Sequence, residues 1–224
     1  MDHKEKLIEI HNSSFSIDDI KNIPEKYRDY VNIIGNKVCE QKGVYTVLIT
    51  LLVHKSLFPA QDIRKHQEKM DGGFSGRTVD TKFITPTLKE LGLPSMAESA
   101  WLTRSLEQPY PYTLDYLGNI RDVEVKQSFL NIIDYVENNP KKVEEILRLI
   151  LYAVIQTTSK QLIQVTKLTN PDYLTILSII QALEEHFDTK YKVRGASKLP
   201  VLAIYAMYNS LVKDIIPNPV IKRY

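Results

Sequence analysis

Apolar residues recur at three- and four-residue spacing along most of the chain, which predicts a mainly α protein. Across residues 24–41 they fall at Tyr27, Tyr30, Val31, Ile34 and Val38, one helical stripe that Gly43 is expected to break. Residues 44–57 are apolar nearly all round, as expected of a central buried helix. Their β-branched content leaves a buried strand as the alternative. A short polar helix is expected over 59–70, opened by Pro59, and Asp71-Gly72-Gly73 marks a turn. A further helix is expected over 75–91, with Ser75 as N-cap and Gly92 just past its C-terminus. Pro86 should kink or split it. Ser95 should cap another helix running to about Gln108, where Pro109 and Pro111 end it, and the tyrosine-rich stretch 110–120 reads as irregular.

Downstream, residues 122–138, 140–159, 171–187 and 198–216 each show helical apolar spacing. Asn170 before Pro171 is a cap followed by a first-turn proline. No internal repeat or low-complexity tract is visible. A soft boundary at 108–120 divides an N-terminal helical lobe, 1–112, from a C-terminal one, 113–224, with a shared core as the alternative. The expected architecture is a multi-helix bundle containing a helix-turn-helix or winged-helix-like unit.

Composition narrows the function. In 224 residues, 43% of them hydrophobic, one good core or two small ones can be buried. A formal net charge of +2 gives no overall basic field, so any nucleic-acid contact has to come from local clusters of Lys and Arg. The single cysteine, Cys39, excludes an intramolecular disulfide framework and suits a reducing cytosol. It is expected to be a partly buried thiol on a helix. No apolar run follows Met1, and the longest apolar stretch, 44–53, is about half of a bilayer span. The chain is therefore expected to be soluble and cytoplasmic, with no membrane partner.

The segment 44–112 carries the candidate chemistry. Its order of apolar helix, short polar helix, glycine turn and final helix resembles a helix-turn-helix or winged-helix unit, in which the last helix reads DNA. The ending Leu88-Lys89-Glu90-Leu91-Gly92-Leu93 is similar to the close of many recognition helices. Val79, Phe83, Ile84, Leu88 and Leu91 can share an inward face, leaving Arg77, Thr78, Thr81, Lys82 and Thr85 outward. Arg and Lys suit phosphates or guanine edges, and threonine offers a hydroxyl to phosphate and a methyl to thymine. An ordinary amphipathic helix with a solvated face is the alternative. Ser75, Ser99, Arg104, Gln108, Tyr110 and Tyr112 add hydroxyls, a cation, an amide and aromatic rings, the tyrosines flanking Pro111 where they can stack or wedge against bases. Trp101, the only tryptophan, is expected to be core. Arg64 and His66 lie in the preceding polar stretch, where His66 is expected to touch phosphate or face solvent.

Three strings carry a resemblance. They are Gly72-Gly73-Phe74-Ser75-Gly76-Arg77-Thr78-Val79-Asp80-Thr81-Lys82-Phe83-Ile84-Thr85-Pro86, Met96-Ala97-Glu98-Ser99-Ala100-Trp101-Leu102-Thr103-Arg104-Ser105-Leu106-Glu107-Gln108-Pro109, and residues 194–206 from Arg194-Gly195-Ala196-Ser197-Lys198 onward. Together they resemble a family of bacterial type II restriction endonucleases encoded beside DNA cytosine methyltransferases, with Ala100 where glycine is expected. The resemblance extends from about Gly43 onward. It implies double-stranded DNA as partner and this chain as an N-terminal specificity portion. It also implies a linked nuclease domain or subunit of the PD-(D/E)xK type that uses Mg2+; no cofactor is expected in this chain itself. A palindromic target would favour a homodimer.

A complete nuclease would need clustered carboxylates and a lysine. Asp122, Glu124 and Lys126 are the compact candidates, but they run into helical spacing at Phe129, Ile132, Ile133 and Val136, so Glu124 and Lys126 should point apart. A complete small endonuclease using these three residues, or a helical protein-interaction module without DNA affinity, are the rival readings. The most basic stretch holds Lys192, Arg194 and Lys198 with Ser197, in a loop expected to lead into a helix N-terminus that can hold a phosphate. On this reading Arg104→Ala costs sequence discrimination of about 1–3 kcal/mol. Lys192→Ala instead weakens all duplexes equally and flattens the salt dependence. Binding titrations on cognate and scrambled duplexes at several salt concentrations check the difference, and identical behaviour of the two variants would contradict it.

Overall fold

The computed structural model describes residues 1–161, apart from Asp19, Lys21, Arg104 and the side chains of Lys160 and Gln161, together with the isolated positions Glu184 and Tyr205. Among the described residues every regular element is helical, and the protein is mainly α. The predicted helices over 171–187 and 198–216 lie outside the described residues. Two compact units divide the chain, Met1–Ser159 and Lys160–Tyr224. Within the first, one continuous hydrophobic core runs from Leu7 to Val154, through residues on both sides of the 108–120 stretch.

Helix α1 (His3–Asn12) was not singled out by periodicity; a capping box starts it. The Asp2 carboxylate accepts the Glu5 N–H at 2.8 Å and the Glu5 carboxylate accepts the Asp2 N–H at 2.9 Å. Helix α2 (Glu25–Asn36) begins after Pro24 as expected but stops short of Gln41. Residues 37–41 turn instead, with the Val38 N–H donating to Gly35 and the Gln41 N–H to Lys37. Cys39 sits exposed on this turn rather than partly buried on a helix. Gly43 breaks nothing, because α3 (Lys42–Leu57) already contains it.

Helix α3 is the buried centre, a helix and not a strand, with every residue from Val44 to Lys55 buried. Two of its polar members, Thr50 and Lys55, find partners inside the fold. Thr50 donates its hydroxyl to the Thr46 carbonyl. Lys55, buried at 3% exposure, pairs with Glu137 of α6 (Val123–Asn138) at 3.0 Å and donates to the Gln61 carbonyl. The second Glu137 oxygen accepts the Ile63 N–H at 2.9 Å, so one carboxylate ties α3, α6 and the intervening loop together.

Two predicted helices are absent. Over 59–70 the chain makes turns, because side chains capture the backbone groups a helix would use. Asp62 accepts both the N–H and the guanidinium of Arg64, Gln61 donates to Gly72, and Lys65 donates to Asp71. Among the described residues of 95–108 a single 3₁₀ turn, Ala100–Leu102, is the one helical element. Ser99 rather than Ser95 caps it. The stretch 110–120 is irregular, as read from sequence. Asp122 caps α6 by accepting the Val125 N–H, and a 3₁₀ turn (Pro140–Lys142) leads into α7 (Val143–Gln161). No helix among the described residues is long and apolar enough to cross a membrane.

Replacing Glu137 with Ala strands the Lys55 ammonium and the Ile63 N–H in the interior. The expected loss of stability is about 3–5 kcal/mol, the usual effect of breaking a buried pair. Urea unfolding followed by circular dichroism measures it; a loss under about 1 kcal/mol would show that the pair is not the clamp described.

Candidate nucleic-acid interface

The stretch read as a reader helix forms a rod in three parts: α4 (Gly76–Val79), a π turn (Asp80–Ile84) and α5 (Thr85–Glu90). Ser75 caps it as expected, its hydroxyl accepting the Thr78 N–H. Pro86 splits it, and the π turn is how. A proline has no N–H to offer and crowds the carbonyl four residues earlier, and a widened turn relieves both problems. The Thr85 N–H accordingly reaches back to the Asp80 carbonyl. Gly92 ends the rod at φ +68°, with the Leu93 N–H donating to Leu88 and the Gly92 N–H to Lys89.

That extra residue in the turn changes which side chains face inward. Ile84 and Leu88 are buried as expected, but so is Thr85, which the unbroken helical pattern placed outside. Its hydroxyl donates to the Asp80 carboxylate at 2.7 Å. Asp80 is itself fully buried and accepts the Ser99 hydroxyl at 2.9 Å and the Ala100 N–H at 2.8 Å. Burial raises the Asp80 pKa above the ordinary carboxylate value, and these donors work against that rise. Ser99 is thus a buried bracket of the scaffold and not a DNA-facing hydroxyl.

Beside Asp80, Trp101 is core, at 1% exposure, and its indole N–H donates to His66 Nδ1 at 3.0 Å. The proton of His66 therefore sits on Nε2, which donates to the Tyr110 carbonyl at 3.2 Å. His66 is buried, facing neither phosphate nor solvent, and burial pushes its pKa down to about 4. Tyr112 stacks on it with ring centres 4.0 Å apart, and its hydroxyl donates to the Leu106 carbonyl. Tyr112 is fully buried and is not available to stack on bases. Gly76 lies against the same indole: a Cβ there would come within 2.8 Å of a Trp101 ring carbon.

The outward surface of the rod keeps Arg77, Thr78, Thr81 and Lys82 exposed. Arg77 pairs with Glu107 at 3.0 Å. The Glu107 and Gln108 carbonyls accept from the Gln67 amide at 3.0 and 3.2 Å, which fixes the 107–110 segment next to Arg77. Tyr110 is exposed on that segment, whereas Gln108 is half-buried. Ser75 is half-buried and bonded to Thr78, and the Arg64 guanidinium is committed to Asp62. Arg104, Lys192, Arg194, Ser197 and Lys198 lie outside the described residues.

The carboxylates weighed for catalysis are on α6 and its cap. Lys37 donates to Asp122 at 2.8 Å and to Glu124 at 2.7 Å, which raises the lysine pKa and lowers that of Asp122. Lys126 lies over the Tyr116 ring instead, apart from both. Among the described residues no three His, Cys, Asp or Glu side chains converge as a metal site. Comparison with protein families, with curated proteins and with solved structures finds no match for this chain.

Sequence reasoning missed the scaffold role of Asp80 and Glu107; the spacing of Asp80 from Thr85, Ser99 and Ala100 gives no local signal of their convergence. Asp80→Ala leaves three donors without an acceptor and is expected to cost about 3 kcal/mol or more, measured by urea unfolding. Acid should also weaken the fold. His54, stacked on Phe74 and bonded to His3, also has its pKa lowered to about 4, first by burial and then by His3. With unfolded values near 6.5, the unfolded chain binds more protons between these limits, so stability is full above about pH 6.5 and falls as pH drops toward about 4. Thermal unfolding across that range checks this, and a midpoint independent of pH would contradict it.

Proposed function

We propose that this chain docks on duplex DNA as the specificity part of a restriction–modification system. The observation that carries the reading is the rod face of Arg77, Thr78, Thr81 and Lys82, exposed on a backbone whose reverse side is fixed by buried bonds from Asp80. Base reading needs a basic, hydroxyl-bearing face held in one orientation. Two of the three strings that carry the family resemblance, 72–86 and 96–109, are the two halves of this clamp, which supports reading them as one recognition element. In helix-turn-helix terms α3 is the supporting helix, 58–75 the lengthened connection and the rod the reader.

Tyr110 adds an exposed ring at the edge of that face. On the sequence pattern Lys192, Arg194 and Lys198 supply phosphate contacts and Arg104 adds to base reading. Hydrolysis falls to a Mg2+-dependent nuclease domain or subunit acting with this one in the cytoplasm, as a dimer where the target is palindromic.

The Arg77–Glu107 pair is exposed on both sides, so exchanging it for a DNA contact costs little, on the order of 1 kcal/mol or less. Arg77→Ala is expected to cost about 1–3 kcal/mol of discrimination between cognate and scrambled duplexes. Glu107→Gln removes a carboxylate from the approaching phosphates and should tighten binding to every duplex, with the gain fading in high salt. Fluorescence anisotropy with labelled duplexes reads both. Unchanged binding in Arg77→Ala and Lys82→Ala together would overturn the reader assignment.

A further inference from the structure

An open groove of about 730 Å³ lies along the first half of α6, away from the clamp residues, with Tyr30, Leu114, Val123, Leu130, Arg121 and Lys126 in its lining. Its apolar members are unusually exposed for their size: Leu114 at 54% and Val123 at 63%, with Leu117 of the same loop at 74%. Clustered large aliphatics at such exposure mark interaction surfaces more often than solvated ones. The lining holds two cations and no carboxylate. Among the described residues Arg121 is exposed with no ion pair, and the Lys126 ammonium meets only the Tyr116 ring. A third cation, Lys26, lies over the Tyr30 ring at 5.7 Å. The carboxylates flanking Val123, Asp122 and Glu124, are both taken by Lys37 and leave those cations unanswered.

We propose that this groove docks an acidic amphipathic polypeptide segment of a partner protein, its apolar side chains on Leu114 and Val123 and its carboxylates on Arg121 and Lys126. The volume suits a few side chains, within the usual range for concave sites of about 300–1,000 Å³. Nucleic acid fits it less well, because DNA-facing surfaces are more polar and more positive than this aliphatic patch. A second copy of the chain fits less well too. A two-fold contact sets the same patch on itself, bringing Arg121 and Lys126 of both copies together. This inference is independent of the DNA reading.

The test uses the full chain and a fluorescein-labelled synthetic peptide with leucines along one helical face flanked by glutamates, beside matched peptides carrying glutamine or lysine instead. The glutamate peptide is expected to bind the wild-type chain. Binding should weaken by about tenfold for the glutamine peptide, and by about as much for Arg121→Glu and for Val123→Ser. Both substitutions fall on exposed positions, and circular dichroism shows whether the fold is kept; Arg121→Gln serves as the milder variant if Arg121→Glu fails to fold. The proposal is overturned by no peptide binding, by binding indifferent to peptide charge, or by full binding in the folded Arg121 variants. Displacement of the peptide by duplex DNA, or self-association abolished by Leu114→Ser, would likewise assign the groove to another occupant. No DNA enters the primary readout, so its failure leaves the recognition face unaffected.

Discussion

The fold around the 76–90 rod hangs on one buried carboxylate. The described residues of 58–75 and 91–122 hold no helix longer than a turn, so their backbone groups cannot be satisfied by a regular ladder. Asp80 supplies part of the answer: it gathers the Ser99 hydroxyl, the Ala100 N–H and the Thr85 hydroxyl around a point fully shielded from water. A charge or a polar group in such a place is tolerated only when its partners are complete, and that demand fixes the relative position of the rod and the 99–101 turn. Trp101 then falls against Gly76 and His66, and His66 in turn holds the Tyr110 carbonyl.

The orientation of the rod follows from this chain of bonds. One side is consumed by the clamp and by Ile84 and Leu88, so Arg77, Thr78, Thr81 and Lys82 are left facing outward on a rigid support. The same logic recurs at Glu137, which holds Lys55 and the Ile63 N–H and so anchors the loop entering the clamp. Function on this account resides in an exposed face whose precision comes from polar groups beneath it that never meet the ligand. The groove beside α6 is different in kind, with aliphatic exposure and unanswered positive charge where the rod offers hydroxyls.

Helices with their own strong periodicity were legible from sequence. The all-round apolar run of α3, the span of α6 and the Ser75 and Gly92 ends of the rod depend on neighbours within a few residues. In the two helices that do not form, side-chain bonds won over local pattern. Residues 59–70 look helical until Asp62, Gln61 and Glu137 claim the backbone, and 95–108 looks helical until Asp80 takes the Ala100 N–H. Thr85 was misplaced because a π turn ahead of Pro86 shifts the helical phase, which a fixed period cannot register. The exposure of the candidate residues Arg77, Thr78, Thr81, Lys82 and Tyr110 was legible; Ser99 and Tyr112 were legible as polar and aromatic, but their burial was not.

The most direct test of the central claim is selection of the purified chain against a randomised duplex pool, followed by sequencing, at two salt concentrations and without added metal. The account predicts enrichment of one short motif by the wild-type chain, retained at the higher salt and lost in Arg77→Ala. A pool that emerges unenriched at both salt concentrations, from a chain that is folded by circular dichroism, would contradict it.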